Sequence, residues 1–273
     1  MVKSLILTGF GINCETETGA AYKNAGAEVT IIHFNELMNG TYNLHDFDIL
    51  NFPGGFSFGD DIASGKVMSN KVKYKKMQNG NTFIDEIRKF IDNGKFILGI
   101  CNGFQILVQL GLLPNINRNF EPETALVANN SNKYEDRWVY CKINPDTKTP
   151  FLKNIDLLPV PVRHGEGKLI IKDEKTRNKI IENNLIALQY ADKNGNITDE
   201  YPANPNGSEL AIAGLTDTTG QIFGLMPHPE AYLSFYNNPQ WAKMKREGNK
   251  PERQFTGQAV FDNIVNELKE KSS

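Results

Sequence analysis

The chain has 273 residues, of which 40% are hydrophobic and 23% are charged, and its formal net charge is -2. This size and composition predict an ordinary globular protein, and we interpret residues 1–273 as a single domain. The near-neutral charge argues against nucleic acid or a membrane surface as a partner, and no apolar run reaches the ~18 residues that a membrane span requires.

Apolar runs alternate with amphipathic segments in the first hundred residues. Strands are predicted at 4–11, 28–34, 47–55 and 96–100, and helices at 15–27 and 82–95. The second helix has Phe83, Ile87, Phe90 and Ile91 at helical spacing. This alternation indicates βαβ units and a parallel sheet with helices on both faces. Ligands bind such sheets beyond the carboxyl ends of the strands.

The pattern changes after residue 120. Short strand-like runs occur at 124–130, 137–143, 158–164, 168–173 and 185–192, and they predict a small antiparallel addition. A buried-strand pattern returns at 221–228, and 254–271 is typical of a closing helix. Two basic segments, 69–81 and 234–253, are interpreted as exposed insertions that form solvated loops, or alternatively a partner surface.

Two nucleotide-binding motifs are incomplete. "GFGINC" begins like a dinucleotide fingerprint, but Cys14 replaces the third glycine. "GDDIASGKV" resembles a phosphate loop, but Asp60 replaces its first glycine and Val67 its magnesium-binding hydroxyl. We therefore expect no bound cofactor in this chain.

The three cysteines, Cys14, Cys101 and Cys141, are odd in number and lack C-x-x-C spacing. This arrangement predicts neither a disulfide framework nor a metal site. The N-terminus lacks the pattern of a signal peptide, so a cytoplasmic location with reduced thiols is expected.

Cys101 follows the predicted strand 96–100 and lies between Gly99 and Gly103, directly before a helical pattern. This fits the nucleophile-elbow pattern with cysteine in place of serine. The alternative is a small buried hydrophobic residue. A thiol with a pKa of about 8.5 is only a few per cent ionised at pH 7, so nucleophilic attack requires a histidine partner.

Four histidines are available as that partner. His33 and His45 flank turns or strand ends and are interpreted as surface or capping residues. His164 and His228 remain. His228 ends the buried run at 221–228, which places it at the same sheet edge as Cys101.

Glu230 comes two residues after His228 and therefore lies on the same side of an extended chain. Its carboxylate can hold the second imidazole nitrogen and select the tautomer. The predicted catalytic residues are Cys101, His228 and Glu230. A solvated loop carboxylate is the alternative for Glu230.

Gly54 and Gly55 follow the apolar run at 47–51, and their backbone N–H groups can approach a ligand closely. Together with the N–H of Asn102 they are candidates for an oxyanion hole, in which one donor contributes roughly 2.7–4 kcal/mol. The alternative is an ordinary glycine turn.

The motifs "GICNGFQ", "PGGFSFGDD" and "MPHPE" resemble those of the class I glutamine amidotransferases. "GINCETET", "RHGEGK" and residues 201–230 narrow the resemblance to the glutaminase subunits of phosphoribosylformylglycinamidine synthases, over roughly residues 4–230. The resemblance implies an α/β fold of flavodoxin-like type. Its open, mostly parallel sheet would have helices on both faces and the small antiparallel addition.

The resemblance also implies a chemistry. Cys101 would attack the side-chain amide of L-glutamine and form a thioester, His228 would move the proton, and Glu230 would orient the imidazole. Gln105 resembles the family residue that helps to hold glutamine, although it could lie on an ordinary polar helix face. His164 and Glu166 are further candidates for substrate binding.

The ammonia would convert formylglycinamide ribonucleotide to formylglycinamidine ribonucleotide in purine biosynthesis. Nothing in the chain resembles an ATP-binding synthetase domain, so ATP and Mg²⁺ are expected on a separate large synthetase subunit, with a small third subunit beside it. The alternative functions are another cysteine hydrolase on the same type of sheet and a catalytically inactive docking subunit.

Overall fold

Strands and helices alternate along the first half of the chain in the computed structural model, which describes residues 1–60, 62–248 and 252–271. The strands are β1 Lys3–Thr8, β2 Glu28–His33, β3 Ile49–Phe52, β4 Phe96–Ile100, β5 Thr124–Val127, β6 Glu135–Ile143, β7 Leu157–His164, β8 Lys168–Ile171, β9 Ile186–Ala191, β10 Ile212–Thr216 and β11 Ile222–Leu225. The helices are α1 Glu15–Asn24, α2 Phe34–Met38, α3 Lys66–Tyr74, α4 Phe83–Asp92, α5 Asn102–Gln109, α6 Glu174–Glu182, α7 Trp241–Arg246 and α8 Gln258–Lys271.

One large sheet has the strand order β2-β1-β3-β4-β11-β10-β9-β6-β7. The strands from β2 to β11 in this order pair in parallel, and those from β11 to β7 pair antiparallel. Strands β5 and β8 form a separate antiparallel pair. The predicted α/β fold class is thus confirmed, and most of the antiparallel region continues the main sheet.

The local sequence explains the elements around the centre of the sheet. All five residues of β4 are buried, as expected for a strand covered on both faces. Helix α4 begins at a capping box, in which the side chain of Thr82 accepts a hydrogen bond from the Asp85 amide. Its predicted apolar face is confirmed, because all four residues at helical spacing are buried.

The interpretation of 69–81 as an exposed loop is wrong for its first half. Residues 66–74 form α3, and Met68 and Val72 of this helix are fully buried. The lysines dominate the composition of this segment, but they lie on the outer face of an amphipathic helix. In the second basic segment, α7 buries no residue, whereas Phe235 is buried; residues 249–251 of that segment lie outside the described residues.

The order of the parallel strands determines where a site can form. Strand β1 lies between β2 and β3, so the chain builds the sheet in one direction from β1 to β2 and in the opposite direction from β3 to β4. Ligands bind at such a switch point, outside the carboxyl ends of the strands. Cys14, Gly54, Cys101 and His228 follow β1, β3, β4 and β11 along the chain. Within the described residues, no helix is long and apolar enough to cross a membrane.

Candidate active site

Cys101 lies at a sharp turn between β4 and α5. Its φ of 51° and ψ of -107° are strained for a residue with a side chain. The two flanking glycines make the turn possible. A Cβ at Gly103 would lie 1.7 Å from the carbonyl oxygen of Phe52, and a Cβ at Gly99 would lie 2.9 Å from the backbone of Gly103. The elbow geometry predicted from "GICNG" is therefore present.

His228 and Glu230 form a buried pair next to this elbow. The His228 Nδ1 atom is 2.6 Å from Glu230 Oε1, and the two side chains are 3% and 1% exposed. The expected pairing occurs, but the extended backbone from which it was predicted does not. Residues Pro229–Ala231 form a 3₁₀ turn, which brings the carboxylate back to the imidazole.

The electrostatics of the pair favour a charged imidazole. Burial disfavours that charge, but the attraction of Glu230 and of the Cys101 sulfur outweighs it, so the pKa of His228 is raised well above its usual value. His228 Nε2 has no conventional hydrogen-bond partner among the described residues. The imidazole interacts with the thiols of Cys101 and Cys14. Nε2 is therefore available to exchange a proton with a reacting group.

Gly54 lies in the middle of these side chains. A Cβ at this position would be 2.9 Å from His228 Cε1, 3.2 Å from Cys14 Sγ and 3.5 Å from Cys101 Cβ. Gly55 has a φ of 141°, and a Cβ there would meet the backbone of residues 11–13. Both glycines are thus required by close approach of the chain. The structure brings Gly54 next to the Cβ of Cys101, and proximity to Cys101 is what the oxyanion-hole hypothesis requires.

Asn102 and Gln105 connect the start of α5 to the surrounding loops. The side-chain oxygen of Asn102 accepts a hydrogen bond from the Ser57 amide at 3.2 Å, and its Nδ2 donates to Gln105 Oε1 at 2.9 Å. Gln105 Nε2 donates to the carbonyl of Glu166 at 2.6 Å. Gln105 is 4% exposed, so the alternative of a solvated helix face is wrong.

His164 is the first residue of the "HGEG" segment, residues 164–167, and its side chain stabilises that segment. Its Nδ1 lies 3.2 Å from the Asn129 side-chain oxygen, which also accepts a hydrogen bond from the Gly167 amide at 3.0 Å. Burial, together with the nearby charge of His228, lowers the pKa of His164 to about 4. His164 is therefore neutral at pH 7 and donates from Nδ1. Its side chain is held in a structural network, a role that its position in the sequence did not indicate.

Glu166 reaches toward the loop that follows β3. Its Oε2 accepts a hydrogen bond from the Ser64 amide at 3.1 Å. Burial and the nearby charge of Glu166 raise the pKa of Asp60, although a hydrogen bond from Ser64 opposes the rise. Asp60 also contacts Asn102 Nδ2 at 3.4 Å. Glu166, Asp60 and Asn102 therefore form a polar wall beside the nucleophile elbow.

The other two histidines agree with the interpretation made for them. His33 caps α2, because its Nδ1 accepts a hydrogen bond from the Asn35 amide at 3.1 Å. His45 is paired with Glu86 at 2.8 Å, far along the chain from the elbow.

Cys14 is the site residue that sequence reasoning missed. No role was predicted for it, yet side-chain atoms of Cys14, His228 and Glu230 lie within 4.8 Å of one another. Its place in the loop between β1 and α1 was the available signal, since the carboxyl ends of β1 and β4 share one edge of the sheet. Cys141 is fully buried in β6, where it faces Tyr190 of β9 and Leu158 of β7.

Comparisons with known proteins agree on one family. The family described as the CobB/CobQ-like glutamine amidotransferase domain matches residues 1–266. The chain is 45% identical over 265 residues to the phosphoribosylformylglycinamidine synthase subunit PurQ of Methanococcus maripaludis, covering 96% of this chain and 94% of the relative. It is 41% identical over 266 residues to the subunit of the same name from Dehalococcoides mccartyi, covering 97% and 96%.

The fold is also similar to that of a solved structure. A chain in the structure of PurLQS from Thermotoga maritima superposes with a TM-score of 0.69 at 27% sequence identity, covering 98% of this chain and 99% of that one. A glutamine amidotransferase from the same organism superposes with a TM-score of 0.52 at 14% identity, which shows a common fold.

Proposed function

The chain belongs to the CobB/CobQ-like glutamine amidotransferase family, and we propose that it is the glutaminase subunit of a phosphoribosylformylglycinamidine synthase. The relatives that carry this name cover nearly the whole chain. The single observation that carries the chemistry is the elbow thiol of Cys101 beside the buried His228–Glu230 pair. In this proposal, residues 1–273 act as one catalytic unit in the cytoplasm.

The reaction begins when the Cys101 sulfur attacks the side-chain carbonyl carbon of glutamine. A charged His228 beside the sulfur stabilises its negative charge, and Glu230 holds the imidazole in position. The carbonyl oxygen becomes an oxyanion, and the N–H groups of Gly54, Gly55 and Asn102 are its proposed donors. One such donor contributes about 3 kcal/mol to the transition state.

The tetrahedral intermediate collapses when His228 Nε2 gives its proton to the leaving nitrogen. Ammonia departs and a glutamyl thioester remains on Cys101. The same nitrogen then takes a proton from water, which attacks the thioester and releases glutamate. One water molecule and one glutamine are consumed, and one ammonia and one glutamate are formed.

The substrate pocket is proposed to extend from the elbow toward Gln105, Glu166 and His164. Gln105 and Glu166 join α5 to the "HGEG" segment and define one wall. Neutral His164 holds that segment in place. No metal or cofactor takes part in glutamine hydrolysis in this proposal.

The ammonia is used by a separate chain. We propose that a large synthetase subunit binds ATP and Mg²⁺ and converts formylglycinamide ribonucleotide to formylglycinamidine ribonucleotide, with a small third subunit in the complex. Similarity to a chain of PurLQS supports this assembly. Neither nucleic acid nor a membrane is a proposed partner.

The reconstituted complex can test whether glutamine hydrolysis and synthesis take place on separate subunits. We expect Cys101→Ala to abolish glutamine-dependent synthesis, because the attacking sulfur is removed, while synthesis from ammonium ions stays within about twofold of wild type. Steady-state assays with each nitrogen source measure both. Cys141→Ala is the matched control, since this thiol is buried in β6, away from the elbow. Equal loss of both activities in Cys101→Ala would refute the proposal.

A further inference from the structure

The thiol of Cys14 lies next to the catalytic histidine, yet it takes no part in the bond-forming steps proposed for glutamine hydrolysis. A side-chain ligand atom of each of Cys14, His228 and Glu230 lies within 4.8 Å of the other two. A Cβ placed on Gly54 would be 3.2 Å from Cys14 Sγ and 2.9 Å from His228 Cε1, so both groups lie beside the same glycine. The loop between β1 and α1 thus brings a second sulfur to the site.

The Cys14 side chain can act on the imidazole as a neutral acceptor. Its Sγ donates a hydrogen bond to the side-chain oxygen of Asn13 at 3.3 Å, so the thiol proton is already engaged and the sulfur lone pairs remain available. Burial raises the pKa of Cys14, although the interaction with His228 opposes the rise. The thiol is therefore uncharged at pH 7.

The imidazole of His228 has a use for such a group. Its Nδ1 is paired with Glu230 at 2.6 Å, whereas Nε2 is buried and has no conventional hydrogen-bond partner among the described residues. A buried charged N–H without an acceptor is costly. Burial opposes the charged imidazole, but Glu230 and the sulfurs of two cysteines outweigh it, and Cys14 is one of the two.

The nucleophile depends on that charge because its own contact favours the neutral thiol. Cys101 Sγ donates a hydrogen bond to the Arg163 carbonyl oxygen at 3.6 Å. A hydrogen bond made by the neutral form of a group disfavours its ionised form. Formation of the thiolate therefore requires a charged imidazole beside it, and a group that stabilises this imidazole also increases the thiolate fraction.

Two further titratable groups interact with the charge of His228. His164 of β7 is neutral at pH 7, because burial and that charge lower its pKa to about 4. Tyr134, just before β6, is also neutral, since burial raises its pKa. The Arg163 side chain is exposed, so solvent and salt screen its charge. The charge on the imidazole is thus controlled mainly by Glu230 and the two sulfurs.

We propose that Cys14 is a positioning residue, whose sulfur lone pairs stabilise the charged imidazole of His228 and thereby the thiolate of Cys101. Cys14 stays a thiol throughout, and no bond to its sulfur forms or breaks. The consequence for catalysis rests on the proposed function. The effect on the ionisation of Cys101 rests on the arrangement of the side chains alone.

The ionisation of Cys101 is measured first, in the full chain. The rate of alkylation by iodoacetamide is followed over a series of pH values, and peptide mass mapping separates the Cys101 adduct from the Cys14 adduct. In wild type we expect the reactive thiolate of Cys101 to appear well below pH ~8.5, the ordinary thiol pKa. In Cys14→Ala this transition should move upward by about 0.5–1 pH, because one weak interaction with the imidazole is lost.

Three variants distinguish an acceptor from simple packing. Cys14→Ser keeps a side-chain atom with lone pairs, so its transition should lie between those of wild type and Cys14→Ala. Cys14→Val keeps more of the volume but has no acceptor, so it should shift as Cys14→Ala does. Cys141→Ala should behave as wild type, since this thiol is buried in β6.

The same alkylation profiles can overturn the proposal. Cys14 is only partly buried, so its variants are expected to fold, and urea unfolding checks this. If Cys14→Ala does not fold, Cys14→Val takes its place. A wild-type transition in the variant without an acceptor, or a shift in Cys14→Ser at least as large, would refute the role of the sulfur.

Activity provides an independent readout. In the assembled complex, the acid limb of the kcat/KM profile for glutamine should move with the alkylation profile. Cys14→Ala should therefore lose about 3- to 10-fold in kcat/KM on the acid side of the optimum. If the wild-type complex hydrolyses no glutamine, the proposed function fails, while the alkylation profile still decides the role of Cys14. An acid limb that stays in place while the alkylation profile moves would refute the catalytic consequence.

Discussion

At the scale of single residues, the nucleophile is held in a strained backbone conformation by its neighbours. A φ of 51° with ψ of -107° at Cys101 carries roughly 1–3 kcal/mol of strain. The contact of Gly103 with Phe52 and the hydrogen bond from the Cys101 amide to the Leu225 carbonyl at 2.8 Å hold that turn between two strands. The strained turn directs the thiol toward His228 and leaves the N-terminus of α5 accessible next to it.

The substitution Glu230→Gln tests the catalytic role of the Glu230 carboxylate. A glutamine side chain retains the shape but cannot compensate the charge of the imidazole, so we expect kcat for glutamine hydrolysis to fall about 10³- to 10⁴-fold. The pKa of His228 should fall as well, because the attraction that raises it is removed. Exposed Glu182→Gln on α6 is the control. An unchanged kcat in Glu230→Gln would exclude the role given to this carboxylate.

At the scale of secondary-structure elements, Glu86 joins α4 to two neighbouring segments. Its carboxylate accepts hydrogen bonds from His45 at 2.8 Å, from Asn81 at 2.6 Å and from Lys89 at 2.9 Å. Burial opposes the ionised form, but these partners outweigh it and lower the pKa of Glu86 to about 2. The group ties the turn at Leu44–Asp46 and the loop before α4 to the helix.

The pKa of Glu86 predicts a pH dependence of stability. The folded-state value lies below the unfolded value of about 4.3, so ionised Glu86 stabilises the fold above pH ~4.3, and this contribution is lost as the pH falls toward 2. We expect Glu86→Gln to lower the free energy of unfolding by about 1–3 kcal/mol at pH 7. Urea unfolding should show the difference from wild type shrinking below pH 4.

Two control measurements accompany the prediction for Glu86→Gln. Exposed Glu28→Gln should change the free energy of unfolding by less than about 0.5 kcal/mol at any pH. Glutamine hydrolysis at pH 7 should be unaffected in Glu86→Gln, because Glu86 lies outside the active site. A difference in unfolding free energy that is the same at pH 3 and pH 7 would contradict the pKa argument.

At the scale of the whole molecule, the site depends on the end of the chain. Gly257 precedes α8, and a Cβ there would lie 2.1 Å from the Pro229 carbonyl oxygen and 2.6 Å from Pro229 Cα. Pro229 belongs to the 3₁₀ turn that presents Glu230. Helix α8 therefore packs directly on the turn that completes the His228–Glu230 pair.

Gly257→Ala should disturb both packing and catalysis. The added methyl group must displace backbone, so we expect a loss of about 1–3 kcal/mol in unfolding free energy together with reduced kcat. Gly19→Ala in α1 is the matched control, because its nearest neighbour would be the flexible end of Ile31 at 3.1 Å. Thermal unfolding and glutamine assays measure both variants. Wild-type kcat in Gly257→Ala would show that α8 does not position the turn.

Much of the fold could be predicted because its signals are local. Alternating apolar runs and helical spacing identified β1 to β4, α1 and α4, since burial on two faces requires continuous apolar strands. The prediction failed at α3, where the many lysines obscured a stripe of three buried residues, Met68, Ser69 and Val72. Helices α2 and α6 were also missed; α6 buries only Ile180, so its apolar signal is weak.

The sequence by itself determined the elbow and the identity of the histidine partner. Glycines on both sides of Cys101 permit close packing of strand and helix, and a histidine with a nearby carboxylate follows a buried strand. These features depend on neighbouring residues only. The tertiary structure alone decided that a 3₁₀ turn aims Glu230, that Gln105 binds the "HGEG" backbone, and that Cys14 joins the site. Strand order and register bring these groups together, and both are set by contacts between residues far apart in the chain.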